Sequence, residues 1–307
     1  MYTRRKFLQD SGLLALGGMS LMHEAGSLLR QPAGRPVGLQ LFTLFNVIDQ
    51  DVAGSLKKVA AIGYREIESA FSHKPGYYGM KPREFASLVA DLGLAWKSHH
   101  VLGAPLKLPP TAKLPKGPDG KPIRIPPMRN LRDNMQELVD EVAEAGIPYL
   151  VCANIPTGTS ADIQASIATL NRTGEACRKA GITLAYHNHT EEFATVDGKT
   201  PYDQFLTQLS PDIKMELDLC WATEAGIDPA DLFARYPGRF PLWHVKDLSK
   251  DKSGPVPVGT GIVDFRHIFA HADQAGLQHF FVEHDMPADP YASITTSFQN
   301  LQSILKA

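Results

Sequence analysis

The sequence has little of what marks several common classes of protein. Its 3 cysteines show no CxxC spacing, which favours free buried thiols and leaves one disulfide as the alternative. The net charge is −2 and no dense run of Lys or Arg lies outside the N-terminus, which argues against a nucleic-acid-binding protein. No GxGxxG motif follows the first predicted strand, so a dinucleotide-binding fold lacks its fingerprint. The composition, with 43% hydrophobic and 21% charged residues, is ordinary for a globular protein.

The N-terminus is basic and then apolar. It reads TRRKFLQ from Thr3, followed by SGLLALGGMSLM, an apolar stretch too short to span a membrane comfortably. The alternative is an amphipathic helix, but Gly12, Gly17 and Gly18 would weaken it. The paired arginines resemble a twin-arginine export signal. We therefore predict an export signal and linker over residues 1–33, and a periplasmic protein or one anchored by an uncleaved signal.

Beyond residue 34, strand-like apolar runs alternate with amphipathic helical runs. Eight predicted strands cover residues 37–44, 65–69, 95–102, 149–153, 182–187, 213–219, 242–246 and 280–283. Regular alternation predicts a parallel sheet with helical crossovers, and eight units favour closure. We predict an α/β protein with one (β/α)8 TIM barrel over 34–307. A Pro-rich insertion at 103–127 is interpreted as a cover over the active site, with a surface insertion as the alternative.

Four segments end an apolar run with a carboxylate or an imidazole: AYHNHTEEF, MELDLCWA, LWHVKD and FFVEHD. They supply Glu192, Asp218, His244 and Glu283, spaced by 26, 26 and 39 residues. Since a strand with its helix takes about 30 residues in such a barrel, the four can lie at one end of successive strands. One such acid alone is more often a helix cap or a surface charge. Four together predict a divalent metal site, suited to Mg²⁺, Mn²⁺ or Co²⁺.

Several neighbours can line the same end of the barrel. Lys246 shares a face with His244, so it can hold a substrate oxygen, with an ion pair to Asp247 or Glu216 as the alternative. Glu216 would lie one layer deeper than Asp218 and act as a supporting hydrogen-bond acceptor. The predicted substrate contacts, each with a structural alternative, are His187, His189, Trp221, Glu68 and one of His99 and His100.

The quoted segments, together with GLQLFTLF, GYREIE and VGTGIVDF, resemble the sugar phosphate isomerase/epimerase family with its xylose-isomerase-like barrel. The resemblance runs from about Val37 to the C-terminus, leaving out the insertion. It implies that Glu192 is the metal ligand of strand five. Many members carry a Glu where this chain has His187, so His187 and Glu191 compete with Glu192 for that position. The resemblance also implies ligand roles for Asp218, His244 and Glu283, and favours His100 over His99 in the site.

The resemblance implies a metal-dependent isomerase or epimerase of a sugar or sugar derivative, working by proton transfer through a metal-stabilised enediolate. Glu192, Glu283 and Lys246 would be catalytic, with Mn²⁺ favoured over Mg²⁺, Co²⁺ or Zn²⁺. The alternative within the enzyme class is a lyase or hydratase of 3-keto-glycosides, since export points away from cytosolic sugar phosphates. An endonuclease and a noncatalytic sugar-binding protein receive less weight. The expected partner is a small sugar or keto-sugar, without nucleic acid, and a homo-oligomer stays open.

Overall fold

The computed structural model describes residues 35–106 and 128–306. The predicted export signal and most of the predicted insertion therefore lie outside the described residues. Within the described ranges, no helix is both long enough and apolar enough to cross a membrane.

Eight parallel strands close into a barrel in the order β1-β10-β7-β6-β5-β4-β3-β2. This confirms the predicted TIM barrel. β1 closes the ring by pairing with both β2 and β10. The barrel strands are β1 (Gly38–Gln40), β2 (Glu66–Ser69), β3 (Ala95–Leu102), β4 (Tyr149–Asn154), β5 (Thr183–His187), β6 (Lys214–Asp218), β7 (Leu242–Val245) and β10 (His279–Val282). Two short strands, β8 (Asp247–Leu248) and β9 (Pro255–Val256), form a separate hairpin after β7.

The helices of the described ranges surround the barrel. They are α1 (Val52–Ile62), α2 (Pro82–Asp91), α3 (Leu131–Glu144), α4 (Ser160–Lys179), α5 (Pro201–Gln208), α6 (Leu219–Glu224), α7 (Pro229–Arg235), α8 (Phe265–Ala270), α9 (Ala272–Ala275) and α10 (Pro290–Lys306). Side-chain caps fix several starts: Asp51 accepts from the Gly54 N–H, and Thr159 accepts from the Asp162 N–H. Such caps satisfy N–H groups that the first helical turn leaves free.

Successive side chains along each strand point alternately out of the barrel, towards the helices, and into it. Outward-facing side chains such as Trp243 and Phe280 are fully buried against the helices; the Trp243 ring stacks on Phe233 of α7 at 5.0 Å between centroids. Inward-facing side chains at the lower end form a separate apolar cluster inside the barrel: Tyr149, Val151, Ala185, Leu242 and Phe281. We call these five residues the barrel floor.

The first strand is shorter than predicted. It ends at Gln40, and Leu41–Leu44 form a 3-10 helix instead of continuing the strand. The Gln40 side chain accepts a hydrogen bond from the Phe42 N–H at 3.0 Å, which turns the chain away from the sheet. The prediction of a strand to Leu44 was therefore wrong, because an apolar run does not reveal a local turn. Cys152, Cys177 and Cys220 are free and buried, as predicted.

A turn after β7 is held by one carboxylate. Asp247 Oδ2 accepts from the N–H groups of Gly259 and Gly261, at 2.9 and 2.8 Å. A Cβ on Gly261 would lie 2.1 Å from the Leu248 carbonyl oxygen, so only glycine fits there. Because backbone donors occupy Asp247, it is not the ion-pair partner that was considered for Lys246.

Candidate active site

Three of the four predicted ligands meet at the upper, C-terminal end of the barrel. Asp218 ends β6, His244 lies on β7 and Glu283 follows β10, and one ligand atom from each lies within 4.8 Å of the others. His244 Nδ1 is 2.8 Å from Glu283 Oε2 and 3.8 Å from Asp218 Oδ2. All three side chains are buried. The arrangement offers two carboxylates and one imidazole to a single cation.

Glu192 is not brought to these three residues. It lies on a 3-10 turn, Glu191–Phe193, after β5 has ended. Its Oε1 accepts from the Tyr186 hydroxyl at 2.6 Å and its Oε2 from the His189 N–H at 2.8 Å. Tyr186 belongs to the outward-facing set that packs on the helices. The ligand role of Glu192 stays a prediction that this geometry does not support. Glu191 is exposed, whereas His187 faces the barrel interior.

Lys246 is surrounded by carboxylates. Its Nζ lies 2.6 Å from Glu283 Oε2, 3.2 Å from Asp218 Oδ2 and 3.1 Å from Asp285 Oδ1. Burial alone would lower the pKa of Lys246, but Asp218, Glu283 and Asp285 raise it well above its usual range. Burial would raise the pKa of Glu283, but Lys246 and His244 lower it instead. Asp285 was not predicted, although it ends the FFVEHD segment.

A second polar group, which we call the deep layer, comprises Glu68, His100, His187 and Glu216. Glu216 Oε2 lies 2.5 Å from His100 Nε2, 3.2 Å from His187 Nδ1 and 3.2 Å from His244 Nε2. Ligand atoms of His100, His187, Glu216 and His244 all lie within 4.8 Å of one another. The deep layer therefore lies directly beneath Asp218, His244 and Glu283, which we call the upper cluster, and contacts it through His244.

The charges of the deep layer perturb one another. Burial would lower the pKa of His100, but Glu68 and Glu216 raise it to about 9. Burial and the charge of Glu68 raise the pKa of Glu216 to about 7, although the charges of His244 and His100 act to lower it. Burial, followed by the charges of His244 and His100, lowers the pKa of His187. Such opposed shifts are typical of functional sites and of buried ion networks alike.

His244 is oriented from below by Glu68. Its Nε2 lies 2.6 Å from Glu68 Oε1, and Gln40 Nε2 donates to the same oxygen at 2.6 Å. Gln40 is itself fixed by the Phe42 N–H on its carbonyl oxygen. A carboxylate on one ring nitrogen selects the tautomer whose other nitrogen can bind a cation. Glu68 therefore acts on His244, and Nδ1 is the nitrogen offered to the upper cluster.

The residues predicted to contact substrate differ in their exposure to solvent. Glu68 is completely buried, and His100 and His187 are 7% and 3% exposed. His189 and Trp221 are only half-buried, and their rings lie 6.3 Å apart. Lys246 Nζ is 4.8 Å from the Trp221 ring centroid, so both rings border the upper cluster.

A side cavity of about 290 Å³ opens beside the ends of β2 and β3. Its lining includes Phe71, His73, Lys74, His100 and Arg129. This volume is at the lower end for small-molecule pockets. It gives His100 one edge that a ligand can approach, while the substrate role of His100 stays a prediction.

Several buried polar atoms of the two layers have no hydrogen-bond partner. Glu68 Oε2 and Glu216 Oε1 have none, and Asp218 Oδ2 and His187 Nδ1 have only a 3.2 Å contact, with Lys246 Nζ and Glu216 Oε2 respectively, that does not meet hydrogen-bond geometry. Leaving such atoms unpaired in a buried place costs about 1–3 kcal/mol each. Carboxylate oxygens and imidazole nitrogens are ligands for divalent cations. The side chains of the site therefore fit a bound divalent metal ion.

These features define a parallel α/β barrel with a candidate metal centre at the C-terminal ends of its strands. The chain belongs to the xylose isomerase-like TIM barrel family, whose model matches residues 56–305.

Individual relatives are distant. A sugar phosphate isomerase/epimerase from Parabacteroides distasonis ATCC 8503 is 26% identical, with a TM-score of 0.69 over 94% of this chain and 98% of that one. A xylose isomerase-like TIM barrel protein from Mycobacterium smegmatis, solved in complex with magnesium, is 18% identical, with a TM-score of 0.61 over 89% of this chain and 96% of that one. An inosose dehydratase from Lacticaseibacillus casei is 25% identical over 131 residues, which cover 37% of this chain and 43% of that relative.

Proposed function

We propose that this protein is a metal-dependent isomerase or epimerase of a sugar or sugar derivative. The observation that carries the proposal is the convergence of Asp218, His244 and Glu283 at the end of the barrel where such folds place their active sites. Similarity to a sugar phosphate isomerase/epimerase over 94% of the chain supports the substrate class.

Asp218, His244 and Glu283 would hold the metal ion, with Mn²⁺ or Mg²⁺ favoured because two of the three ligands are carboxylates. Bound there, the ion would supply Lewis-acid polarisation of a substrate carbonyl. Glu68 would keep His244 Nδ1 directed at the ion through its contact with Nε2.

Two groups flank this cluster as proton carriers. Glu283 follows β10 and His189 follows β5, while β6 and β7 stand between those strands in the ring. Burial, followed by the charge of Lys246, lowers the pKa of His189, which favours the neutral imidazole. Glu283 is held as a carboxylate by Lys246 and His244. Transfer from one face of a carbon to the other gives an epimer, and transfer to the neighbouring carbon gives an isomer.

Lys246 would bind the substrate oxygen on which negative charge develops. Its ammonium lies between Glu283 and Asp218, and its raised pKa keeps it charged. A fixed cation at a developing oxyanion lowers the barrier to proton removal. Trp221, beside Lys246, would cover an apolar face of the sugar.

The test is turnover of a panel of free sugars, keto-sugars and keto-glycosides in D₂O, followed by mass spectrometry. The Mn²⁺-loaded protein should introduce one solvent deuterium into an isomer or epimer, and a chelator should stop it. Absence of both exchange and product across the panel would contradict the proposal. Nicking of abasic DNA by the same preparation would favour an endonuclease instead.

A dehydratase or lyase is the second candidate. The partial match to an inosose dehydratase favours it, and a 3-keto-glycoside would suit the same residues. Loss of a group β to the removed proton needs the same base and the same carbonyl polarisation. In the panel, an unsaturated product or a released aglycone would select this reaction over epimerisation.

We also propose export through the N-terminal segment. Replacing both arginines, Arg4→Lys and Arg5→Lys, should retain the protein inside the cell. Unchanged recovery in the periplasmic fraction would contradict a twin-arginine route.

A further inference from the structure

We propose that His100, His187 and Glu216 form a second, deeper site for a nitrogen-preferring divalent cation of the zinc class. This site lies beneath the proposed catalytic metal and uses none of its ligands. It would leave His244 Nε2 on Glu68 and His244 Nδ1 on the upper cluster, so both sites can fill together.

The spacing of the ligand atoms suits one ion. A tetrahedral zinc with nitrogen and oxygen ligands at about 2.0–2.1 Å keeps neighbouring ligand atoms about 3.3 Å apart. Glu216 Oε2 and His187 Nδ1 are 3.2 Å apart. His100 Nε2 lies closer to Glu216 Oε2, at 2.5 Å, and would move outward as the ion enters.

Hydrogen bonds do not satisfy this group. His100 Nε2 bonds to Glu216 Oε2, and His244 Nε2 bonds to Glu68. Glu216 Oε1 is left without a partner, and His187 Nδ1 makes no hydrogen bond beyond its 3.2 Å contact with Glu216 Oε2, although both side chains are at least nine-tenths buried. Buried atoms of this kind call for a missing water or ion.

The balance of charge gives an independent reason. Five buried or partly buried carboxylates neighbour one another here: Glu68, Glu216, Asp218, Glu283 and Asp285. In the described ranges, Lys246 is the one Lys or Arg that forms a salt bridge with any of them, and its partners are Asp218, Glu283 and Asp285. With all five ionised and the imidazoles neutral, Lys246 and one divalent ion in the upper cluster leave two negative charges uncompensated. Buried charge without a counter-charge is costly. A second divalent ion in the deep layer would compensate these charges.

The ligand types point to the zinc class. Two imidazoles with one carboxylate suit zinc, whereas the oxygen-rich upper cluster suits Mg²⁺ or Mn²⁺. Because the site lies beneath the upper cluster, where the substrate is proposed to bind, its ion would support the upper cluster from below and not contact the substrate.

The experiment counts ions. The full protein is stripped of metal, loaded with Zn²⁺ alone, passed through gel filtration and measured by elemental analysis, beside His187→Gln, Glu216→Gln and Asp218→Asn. Wild type should hold two ions per chain, each variant one, and His187→Gln/Asp218→Asn none. Repeating the loading with Co²⁺ adds a spectral readout, since a nitrogen-rich Co²⁺ absorption should vanish in His187→Gln and persist in Asp218→Asn. Circular dichroism of each variant confirms that the barrel is intact.

The outcomes separate this inference from the proposed function. One ion in wild type that is lost only in Asp218→Asn would overturn the deep site and leave the catalytic metal standing. One ion that is lost in His187→Gln and Glu216→Gln but kept in Asp218→Asn would keep the deep site and overturn the upper ligands. No ion in wild type would contradict both.

Discussion

The two ends of the barrel interior differ over a distance of two residues on a strand. On β7, Leu242 belongs to the apolar barrel floor and His244 to the candidate metal centre. On β5, Ala185 and His187 repeat the contrast, and on β10 Phe281 is followed two positions later by Glu283. Inward-facing positions recur every second residue, so one step along a strand changes the interior from a packed core to a charged site. In such barrels the lower end serves stability and the upper end chemistry.

The two ends also differ in what stabilises them. The floor is held by burial of apolar side chains, worth about 25 cal/mol per Å² removed from water. The upper end concentrates carboxylates around one lysine, an arrangement that becomes favourable when a cation compensates it. Substitutions at the two ends should therefore separate activity from stability.

The largest effect should come from the upper end, with Asp218→Asn. Removing one proposed ligand should release the proposed metal ion and lower deuterium exchange about 1000-fold, since such an ion lowers the barrier to reaction by several kcal/mol. Asp212→Asn, an exposed neighbour before β6, is the matched control and should be unaffected. Deuterium exchange at the wild-type rate by Asp218→Asn would contradict the proposed ligand role of Asp218.

At the barrel floor, Leu242→Ala should lower stability and leave the metal content unchanged. Loss of a completely buried leucine should cost about 2–5 kcal/mol of unfolding free energy through lost burial and a cavity. Metal content should be unchanged, because His244 remains in place. Leu106→Ala, at a 44% exposed position, is the control in denaturant titration. A Leu242→Ala protein that is as stable as wild type but has lost its metal would contradict the assignment of stability to the lower end and chemistry to the upper end.

Glu68→Gln should have a smaller effect, on metal affinity alone, because Glu68 contacts His244 from below without being a proposed ligand. Weakening the contact that orients His244 should lower metal affinity about 10- to 100-fold, measured by competition with a chelator. Glu66→Gln is the matched control two residues earlier on β2, where Glu66 pairs with His279 and Lys97 at the lower end. Equal affinities for the two variants would contradict the positioning role of Glu68.

Glu192→Gln should have the smallest effect. The variant keeps the shape of the side chain but weakens its bonds to Tyr186 and the His189 N–H, at a cost of about 1 kcal/mol in unfolding free energy. Metal content should match that of Glu191→Gln, its exposed neighbour. Loss of the metal in Glu192→Gln alone would restore Glu192 as a ligand.

The sequence predicted the barrel and the approach of Asp218, His244 and Glu283, because regular spacing places successive strand ends together. It could not place Glu192, since the direction of a side chain on a 3-10 turn after a strand follows no periodic rule. Nor could it predict the contact of Glu68 with His244, which joins residues 176 positions apart and depends on how the barrel closes.

Glu283→Gln is the variant that tests metal-assisted proton transfer most directly. The amide keeps the size of the side chain and removes its capacity to accept a proton. Because Glu283 is also a proposed metal ligand, the metal content of the variant is measured beside its activity, in excess Mn²⁺ that keeps the site filled. With a substrate found in the sugar panel, incorporation of solvent deuterium should then fall about 100- to 10,000-fold, the usual contribution of a general base. The fold should persist. Incorporation at the wild-type rate would contradict the assignment of Glu283 and, with it, the proposed chemistry at the upper end of the barrel.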